Sequence, residues 1–349
     1  MKGKETVFVG LSGGVDSSVS AALLKEQGHN VVGVFIKVWQ PDFLECTWPE
    51  DRLDAMRVCA TLEIPFLTFE FGEEYKKEVV DSMIASYKRG ETPNPDVLCN
   101  QHIKFGSFLK KAKEMGADKI ATGHYARVDK EGEVRRLFKG VDGEKDQTYF
   151  LWTLTQEELK STLFPIGGFR KKEVRQLAER FGLPTARKRE SQGLCFLGEL
   201  VMQDFLKHFL EEKEGVVLNE KGEKVGTHEG AFFYTRGQRH GFLISDVDEQ
   251  KKPHYVIEKD IESNTLTVST NPPKEEEALI KLRDENWLSA SPQEGSPYTC
   301  RLRHRQTPLP CICRGNGRVE IDGERAASGQ SCVLYNGDEC LGGGIITSP

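Results

Sequence analysis

Short apolar runs alternate with helical segments over the first two hundred residues, and this alternation limits the fold more than any other feature of the chain. The strand-like runs cover residues 6–11, 31–36, 66–71 and 119–122, and the helical patterns cover 15–27, 51–62, 73–88 and 102–114. Strands that alternate with helices form βαβ units, in which the strands are parallel. The sequence therefore predicts an α/β fold built on a doubly wound parallel sheet.

The pattern changes beyond residue 200, where short strands are separated by turns rich in Gly, Asn and Asp. One helix is predicted at 200–210, and later strands include 318–321 and 332–335. The stretch 271–278 contains two prolines and three consecutive glutamates, which is typical of a linker. Since 349 residues suffice for two or three domains, we expect an α/β domain at 1–199, a small β-rich domain at 200–274 and a β-barrel-like domain at 275–349.

The composition is that of an ordinary globular protein, with 38% hydrophobic and 29% charged residues. No apolar run is long enough to cross a bilayer, and residues 1–5 lead into a strand-like segment without a secretory signal. The nine cysteines cannot all pair within one chain, because their number is odd. We therefore expect a cytoplasmic protein in a reducing compartment, with no membrane partner.

Two clusters of basic residues interrupt a chain whose net charge is −6. Residues 170–190 carry eight Lys and Arg against three Asp and Glu, and residues 301–318 carry five Arg and no acid. Single charge runs are usually solvated surfaces. Two such clusters on a mildly acidic protein still allow a local nucleic-acid footprint.

The segment from Gly10 to Ser18, G-L-S-G-G-V-D-S-S, lies between the first predicted strand and the first predicted helix. Glycines there allow a tight turn and close approach to phosphate oxygens, and a helix N-terminus favours an anion. Asp16 offers a carboxylate for Mg²⁺ or for orienting the loop. The lysine of a Walker A loop and the G-x-G-x-x-G spacing of a dinucleotide site are both missing. The motif instead resembles the PP-loop of the ATP pyrophosphatases, which cleave ATP between its α and β phosphates.

Cys99 lies in a segment that favours a reactive thiolate. Two prolines, Pro93 and Pro95, direct the chain into the following helix, so the thiol lies near a helix N-terminus. Asp96, three residues before Cys99, is placed for general acid-base chemistry or for capping. A lone cysteine is more often a small buried hydrophobe.

Cys195 lies in a second candidate segment, E-S-Q-G-L-C-F-L-G, beside basic residues at 187–189. Positive charge and a nearby glycine again suit a reactive thiolate. By itself this segment is weak evidence for chemistry.

Together, these segments closely resemble the tRNA-specific 2-thiouridylase family, and the resemblance covers essentially the whole chain. Further matching segments are G-H-Y at 123–125, K-D-Q-T-Y at 145–149, G-Q-S at 329–331 and L-G-G-G-I-I at 341–346. Several motifs in the right order are far more specific than any one of them. The resemblance implies a monomeric enzyme that uses ATP and Mg²⁺ to 2-thiolate the wobble uridine of tRNA. Its sulfur donor would be a persulfide relay protein or a cysteine desulfurase.

The resemblance also implies roles for particular residues. Cys195 would accept sulfur as a persulfide, Cys99 would act as nucleophile, and Asp96 would be the acid-base group; a disulfide between the two cysteines can then form. ATP would be bound by Gly10, Leu11, Ser12, Gly13, Gly14, Val15, Asp16, Ser17, Ile36 and Gly123. The tRNA, with its target base extruded, would be contacted by Asn94, Pro95, Asp96, His124, Lys145, Asp146, Gln147, Arg303, His304 and Gln330.

Two of these positions depart from the usual pattern of the family. Ile36 stands where methionine is usual, and His304 stands where tyrosine is usual, giving R-H-R at 303–305. The first change exchanges one apolar residue for another. A histidine ring can still stack on a base or a sugar.

Two other functions compete with this interpretation. A PP-loop ligase that uses ammonia or an amine would not need Cys99 or Cys195, and a non-catalytic tRNA-binding protein would not need an intact loop. The complete S-G-G-x-D-S motif argues against the second alternative. A zinc site at Cys300, Cys311 and Cys313 is disfavoured because their spacing contains no C-x-x-C pair, so we expect core or surface thiols and no metal there.

Overall fold

Parallel strands form the first of the β-sheets in the part of the chain that the computed structural model describes, residues 4–44, 48–189, 202–245, 252–272, 278–322 and 327–347. Its strands are β1 (Thr6–Gly10), β2 (Asn30–Lys37), β3 (Phe66–Glu70), β4 (Lys119–Ala121) and β7 (Thr162–Leu163). They lie in the order β3-β2-β1-β4-β7, and every pairing is parallel. The predicted doubly wound sheet is confirmed. Because the strand order reverses between β1 and β4, a crevice opens there at their carboxyl ends.

Helices cover both faces of this sheet. They are α1 (Val15–Glu26), α2 (Trp48–Thr61), α3 (Gly72–Tyr75, π-helical Lys76–Asp81 and Ser82–Lys88), α4 (Pro95–Leu98, π-helical Cys99–Ser107 and Phe108–Glu114), α5 (Gln156–Lys160) and α6 (Lys171–Arg180). Val7 and Val9 of β1 pack with α1, α2 and α6, whereas Phe8 packs with α3 and α4, as the two-residue period of a strand requires. In the described ranges, no helix has the length and apolar character needed to span a membrane.

Helix α4 begins at Pro95 and not at residue 102, where the sequence predicted its start. Proline is suited to the first helical position, where its missing N–H costs no hydrogen bond. The Asn94 Oδ1 caps the helix by accepting the amides of Asp96 at 3.2 Å and Val97 at 3.3 Å. Cys99 therefore lies in the second turn of α4 and opens its π-helical segment.

The rest of the chain forms two further sheets. Helix α7 (Met202–Lys207) precedes a five-stranded sheet of β8 (Gly215–Leu218), β9 (Lys224–His228), β10 (Leu243–Ile244), β11 (Tyr255–Asp260) and β12 (Thr265–Ser269). A barrel follows, made of β13 (Ala278–Trp287), β14 (Pro297–Arg301), β15 (Leu309–Cys313), β16 (Arg318–Ile321), β17 (Ser331–Asn336) and β18 (Glu339–Ile346). Pairing of β13 with β18 closes it. Small β-rich units after the α/β part are thus confirmed. Of the predicted linker, residues 273–277 lie outside the described ranges.

A hairpin from the first part of the chain extends the barrel. Strands β5 (Ala126–Glu131) and β6 (Val134–Lys139) follow β4, but β6 pairs with β18, with Phe138 opposite Glu339 and Leu137 opposite Cys340. The sequence analysis did not predict this hairpin. Through this hairpin, the C-terminal sheet is continuous with the chain segment that follows β4 of the parallel sheet.

A buried ion pair joins the parallel-sheet part to the barrel. The Arg301 Nη1 donates to the Asp146 Oδ2 at 2.6 Å, and the two residues are 8% and 2% exposed. Beside it, the Tyr149 hydroxyl donates to the carbonyls of Leu302 and Ser331 at 3.0 and 3.1 Å. These contacts dock residues 146–149 into the barrel wall.

Removing the Asp146 carboxylate should destabilise the protein strongly. Asp146→Ala leaves the Arg301 guanidinium buried without its counter-charge, which typically costs about 3–5 kcal/mol. Urea and thermal unfolding would measure the loss. Asp338→Ala is the control, because its carboxylate is 72% exposed and 4.0 Å from Lys139, and it should change stability little. Equal unfolding midpoints for the two variants would contradict the proposed importance of the buried pair.

Candidate functional site

The S-G-G-x-D-S loop lies at the carboxyl end of β1, beside the crevice between β1 and β4. Gly13 adopts a φ of +75°, and an added Cβ would lie 2.5 Å from the Asp51 carbonyl oxygen, so only glycine suits the position. Gly14 is the N-cap of α1 and makes no side-chain cap. The loop thus presents a helix N-terminus without a capping side chain, which is a site for an anion.

Two of the loop serines are buried in internal hydrogen bonds, and one is exposed. The Ser18 hydroxyl is 1% exposed and donates to the Gly14 carbonyl at 2.7 Å. The Ser17 Oγ accepts the Ser12 amide at 3.2 Å and lies 3.3 Å from the Ser12 hydroxyl. Of Ser12, Ser17 and Ser18, Ser12 is the exposed one. Its hydroxyl is therefore the one best placed for an incoming ligand.

Lys171 supplies the cation that the sequence of the loop lacks. Its Nζ lies 2.8 Å from both carboxylate oxygens of Asp16, and the Tyr125 hydroxyl donates to the Asp16 Oδ1 at 2.8 Å. The two charged side chains are 12% and 31% exposed. The sequence analysis counted Lys171 only as one member of the basic cluster at 170–190. Lys171 is the first residue of α6 and lies far from the loop in sequence. The basic cluster alone therefore gave no indication that Lys171 would contact Asp16.

Gly123 lies against the loop, and Ile36 lies beside Gly10 at its start. Their role in ATP binding stays a prediction. A Cβ on Gly123 would lie 2.7 Å from the Ser17 amide nitrogen, so β4 and the loop touch through bare backbone. The Ile36 Cδ1 is 3.9 Å from the position of a Cβ on Gly10. Leu11 and Val15, at 3% and 4% exposure, anchor the loop in the core.

His124, a predicted tRNA contact, is a buried residue at the end of β4. It is 6% exposed, and its Nδ1 lies 2.8 Å from the Thr122 hydroxyl. Burial, together with the charge of Lys104, holds the pKa of His124 well below its usual value. The imidazole is therefore neutral near pH 7. Its contact with tRNA stays a prediction.

The predicted nucleophile Cys99 is fully buried behind the N-terminus of α4. Asn94, Pro95 and Asp96 form the first turn ahead of it and are partly exposed. The Cys99 thiol thus lies one helical turn beyond residues 94–96, which were predicted to surround the target base. Cys195 and its whole segment lie outside the described residues.

All three parts of the structure meet at Thr92, just before this turn. The Thr92 amide donates to the Ser328 carbonyl at 2.7 Å, and the Gln330 Nε2 donates to the Thr92 carbonyl at 2.9 Å. The Thr92 hydroxyl lies 3.2 Å from that of Thr235, in the connection between β9 and β10 of the middle sheet. The segment just before the helix of Cys99 is therefore hydrogen-bonded to the barrel and to the part of the chain that forms the middle sheet.

The remaining predicted tRNA contacts lie at the junction of the 145–149 segment with the barrel. Lys145 is partly exposed, whereas the Asp146 carboxylate is already engaged by Arg301 and the Thr148 hydroxyl. The Gln147 Oε1 accepts the Tyr125 amide at 3.0 Å. Whether Asp146 and Gln147 contact tRNA stays a prediction, and the structure shows both in internal contacts.

His304, which follows β14 of the barrel, lies beside Phe150. The ring centroids of His304 and Phe150 are 4.4 Å apart, and the Phe150 carbonyl accepts the Asn100 side-chain amide at 3.3 Å. Arg303 is exposed. The barrel residues and the start of α4, far apart in sequence, thus converge on one region.

Other cysteines in the described residues are poor nucleophile candidates. Burial raises the pKa of Cys59 to about 12 and that of Cys340 still higher, so both stay protonated near pH 7. Cys300, Cys311 and Cys313 are buried in the barrel wall, and among the residues that the structure describes no group of His, Cys, Asp and Glu side chains is arranged to hold a metal ion.

A cleft of about 860 Å³ lies at the opposite edge of the parallel sheet. It is lined by residues at the amino ends of β1 and β4, such as Glu5 and Lys119. Ligands of open α/β sheets bind at the carboxyl edge. The loop chemistry, and not the size of this cleft, therefore defines the candidate site.

A parallel sheet with an S-G-G-x-D-S loop at its switch point defines a PP-loop protein. Family models match this chain as a tRNA methyl transferase HUP domain at 5–199, a tRNA methyl transferase PRC-barrel domain at 203–270 and an aminomethyltransferase β-barrel domain at 277–346. The tRNA-specific 2-thiouridylases MnmA of Shigella boydii serotype 18 and Escherichia coli K12 are each 43% identical to it, over 97% of this chain and 96% of theirs. The chain belongs to the tRNA-specific 2-thiouridylase family.

Among solved structures, the U34-tRNA thiolase NcsA from Methanococcus maripaludis is similar to part of the chain. The two are 21% identical with a TM-score of 0.38, over 56% of this chain and 63% of that chain.

A methyl group at Gly123 should displace the phosphate loop. In Gly123→Ala the new Cβ would lie 2.7 Å from the Ser17 nitrogen, and overpacking of about 1–3 kcal/mol corresponds to roughly 5- to 150-fold weaker ATP binding. Calorimetric titration with ATP and Mg²⁺ would measure it. Gly143→Ala, where a Cβ meets nothing within 4 Å, should bind as the wild type does. Unchanged affinity in both variants would show that the loop is not the ATP site.

Proposed function

We propose that the protein uses ATP and Mg²⁺ to replace the C2 oxygen of a tRNA wobble uridine with sulfur. Membership of the 2-thiouridylase family gives the reaction. The observation that carries it is the phosphate loop at the carboxyl end of β1, in a fold whose barrel is hydrogen-bonded to Thr92, just ahead of the capped helix of Cys99.

The loop fits the polyphosphate of ATP. The uncapped N-terminus of α1, the exposed Ser12 hydroxyl and the Lys171 ammonium all lie at one end of β1. At Gly123 the backbone lies directly against that of Ser17, with no room for a side chain between them. Asp16 is the carboxylate placed to hold Mg²⁺, which commonly binds to one or two carboxylates together with substrate phosphates. Bound ATP supplies the electrophilic phosphorus that activates the uridine oxygen.

Activation is needed because a carbonyl oxygen is a poor leaving group. Adenylation of the C2 oxygen converts it into the oxygen of AMP, a far better leaving group, while pyrophosphate departs. Lys171 and the α1 dipole would stabilise the charge that develops on the phosphates. The loop is thus assigned to activation and not to sulfur transfer.

Cys99, Cys195 and Asp96 are proposed to transfer the sulfur. Cys195 would carry the terminal sulfur as a persulfide, and Asp96, in the first turn of α4, would move the protons. Cys99 attacks the inner sulfur of Cys195, which releases the terminal sulfur to the activated C2 and leaves a Cys99–Cys195 disulfide. A reductant must then restore both thiols.

Access to Cys99 is the step that this structure constrains most. The thiol is fully buried, so reaction requires the first turn of α4 to be uncovered. The Gln330 side chain, a predicted tRNA contact, donates to the Thr92 carbonyl just ahead of this turn. If tRNA binds the Gln330 side-chain amide, the hydrogen bond from Gln330 to the Thr92 carbonyl is lost. Substrate binding would then be coupled to exposure of the Cys99 thiol.

The partners and setting complete the proposal. The protein would act in the cytoplasm as a monomer, with tRNA held between the α/β part and the barrel. A persulfide relay protein or a cysteine desulfurase would supply sulfur to Cys195. Asn94, at the start of α4, and Lys145, Arg303 and His304, near the junction of the 145–149 segment with the barrel, would contact the tRNA.

The decisive assay measures thiolated tRNA by retardation in a mercury gel. Unmodified tRNA, ATP, Mg²⁺ and a desulfurase donor should give a retarded band, and Cys99→Ser or Cys195→Ser should abolish it. Cys313→Ser, which alters a buried thiol of the barrel, is the matched control and should retain the band. Conversion of ATP to AMP without any thiolated tRNA in the wild type would instead favour a PP-loop ligase.

Lys171 should be needed for nucleotide binding. Lys171→Met removes the ammonium that faces Asp16, and loss of a charged hydrogen bond costs about 1.5–3 kcal/mol, or roughly 10- to 150-fold in ATP affinity. Equilibrium binding of a fluorescent ATP analogue would measure this. Lys172→Met changes the exposed neighbour and should bind normally. Identical affinities for the two variants would remove Lys171 from the site.

A further inference from the structure

We propose that a cavity between Lys145 and Arg305 binds one backbone phosphate of the tRNA, an inference that rests on the proposed function. The cavity has a volume of about 470 Å³. Its lining includes Glu144, Lys145, Arg301, Arg305 and Gln306. Arg301, Arg305 and Gln306 have no part in the roles assigned above to tRNA binding.

Arg301 gives the first argument, because it is a nearly buried cation with an unused donor. The residue is 8% exposed, and its Nη1 is satisfied by Asp146. Its Nε, however, is buried and has no acceptor among the described residues. Buried donors are nearly always hydrogen-bonded in folded proteins. Arg301 lines the cavity, so a phosphate that enters it would place acceptor oxygens beside this guanidinium.

Arg305 gives the second argument through its backbone. It adopts a φ of +61°, in the left-handed region that favours glycine and disfavours long side chains. Strain of this kind is concentrated at functional sites, where the side chain rather than the backbone is needed. An exposed arginine held in this conformation at the mouth of the cavity therefore indicates a role for its guanidinium.

The charge of the cavity favours an anion. Three of its lining residues are cationic, and Glu144 is the carboxylate among them. The Asp146 carboxylate is paired with Arg301. Residues 301–318 contain no acid, although the whole chain has a net charge of −6. The cavity is thus a local positive site on an acidic protein.

Its position favours RNA over a free anion. His304, between Arg303 and Arg305, has its ring 4.4 Å from that of Phe150. Burial and the nearby Arg305 lower the pKa of His304 to about 4, so the ring is neutral near pH 7. A neutral ring beside cations suits a nucleotide that stacks on the ring while its phosphate enters the cavity. The Phe150 carbonyl in turn contacts Asn100, the neighbour of Cys99.

The test compares the salt dependence of tRNA binding in variants of Arg305. Arg305→Gly removes the charge and relieves the backbone, so we expect roughly 5- to 30-fold weaker binding and a shallower salt slope by about one ion, with an unchanged or higher melting temperature. Arg305→Lys should restore the slope. Arg314→Ala, which removes an exposed arginine paired with Glu320, should behave as the wild type. If Arg305→Gly does not fold, Arg305→Asn also tolerates a positive φ and takes its place.

Three outcomes separate the possibilities. A wild-type slope in Arg305→Gly would overturn the phosphate site while leaving the proposed function intact. Saturable binding of inorganic phosphate at constant ionic strength that is lost in Arg305→Gly, but that does not weaken tRNA binding by the wild type, would identify a free-phosphate site and overturn its assignment to RNA. A wild-type protein that neither binds nor thiolates tRNA would overturn the proposed function itself.

Discussion

The buried ion pair between Asp146 and Arg301 holds the barrel against the part of the chain that carries the phosphate loop. A buried charge is tolerated only when its partner is fixed close by, and here the two groups are 2.6 Å apart. The pair therefore allows few relative positions of the barrel and the 145–149 segment. His304, whose ring centroid lies 4.4 Å from that of Phe150, the residue after this segment, is positioned by the same restriction.

The same segment also reaches the phosphate loop. Gln147, next to Asp146, accepts the Tyr125 amide, and the Tyr125 hydroxyl donates to Asp16. Asp16 in turn faces Lys171. Proximity and orientation of ATP, base and thiol account for much of the rate in reactions of this type. A short series of direct contacts thus links the phosphate loop to the barrel through residues 146 and 147.

Sequence reasoning succeeded where local pattern determines structure and failed where distant residues decide it. The parallel sheet was predictable because each apolar run is bounded by a helix. The hairpin at β5 and β6 was missed because charged residues interrupt its strands and its partner β18 lies some two hundred residues away. The start of α4 was predicted too late in the sequence because Pro95 was interpreted as part of the non-helical segment before the helix and not as the first helical residue.

The candidate site shows the same division. The loop from Gly10 to Ser17 could be identified from its motif, since the glycines and the helix start are local. Lys171 could not, because only the fold brings it to Asp16. The family resemblance marked Asp146 as a tRNA contact, and no sequence pattern indicated that its carboxylate would be buried with Arg301.

The central claim is that the loop activates the very oxygen that sulfur replaces. An anticodon stem-loop whose wobble uridine carries ¹⁸O at C2 tests it directly, with mass spectrometry of the AMP formed during thiolation. The account predicts that AMP acquires one ¹⁸O atom for each 2-thiouridine produced. Unlabelled AMP alongside authentic 2-thiouridine would show that the oxygen leaves by another route and would contradict activation by adenylation.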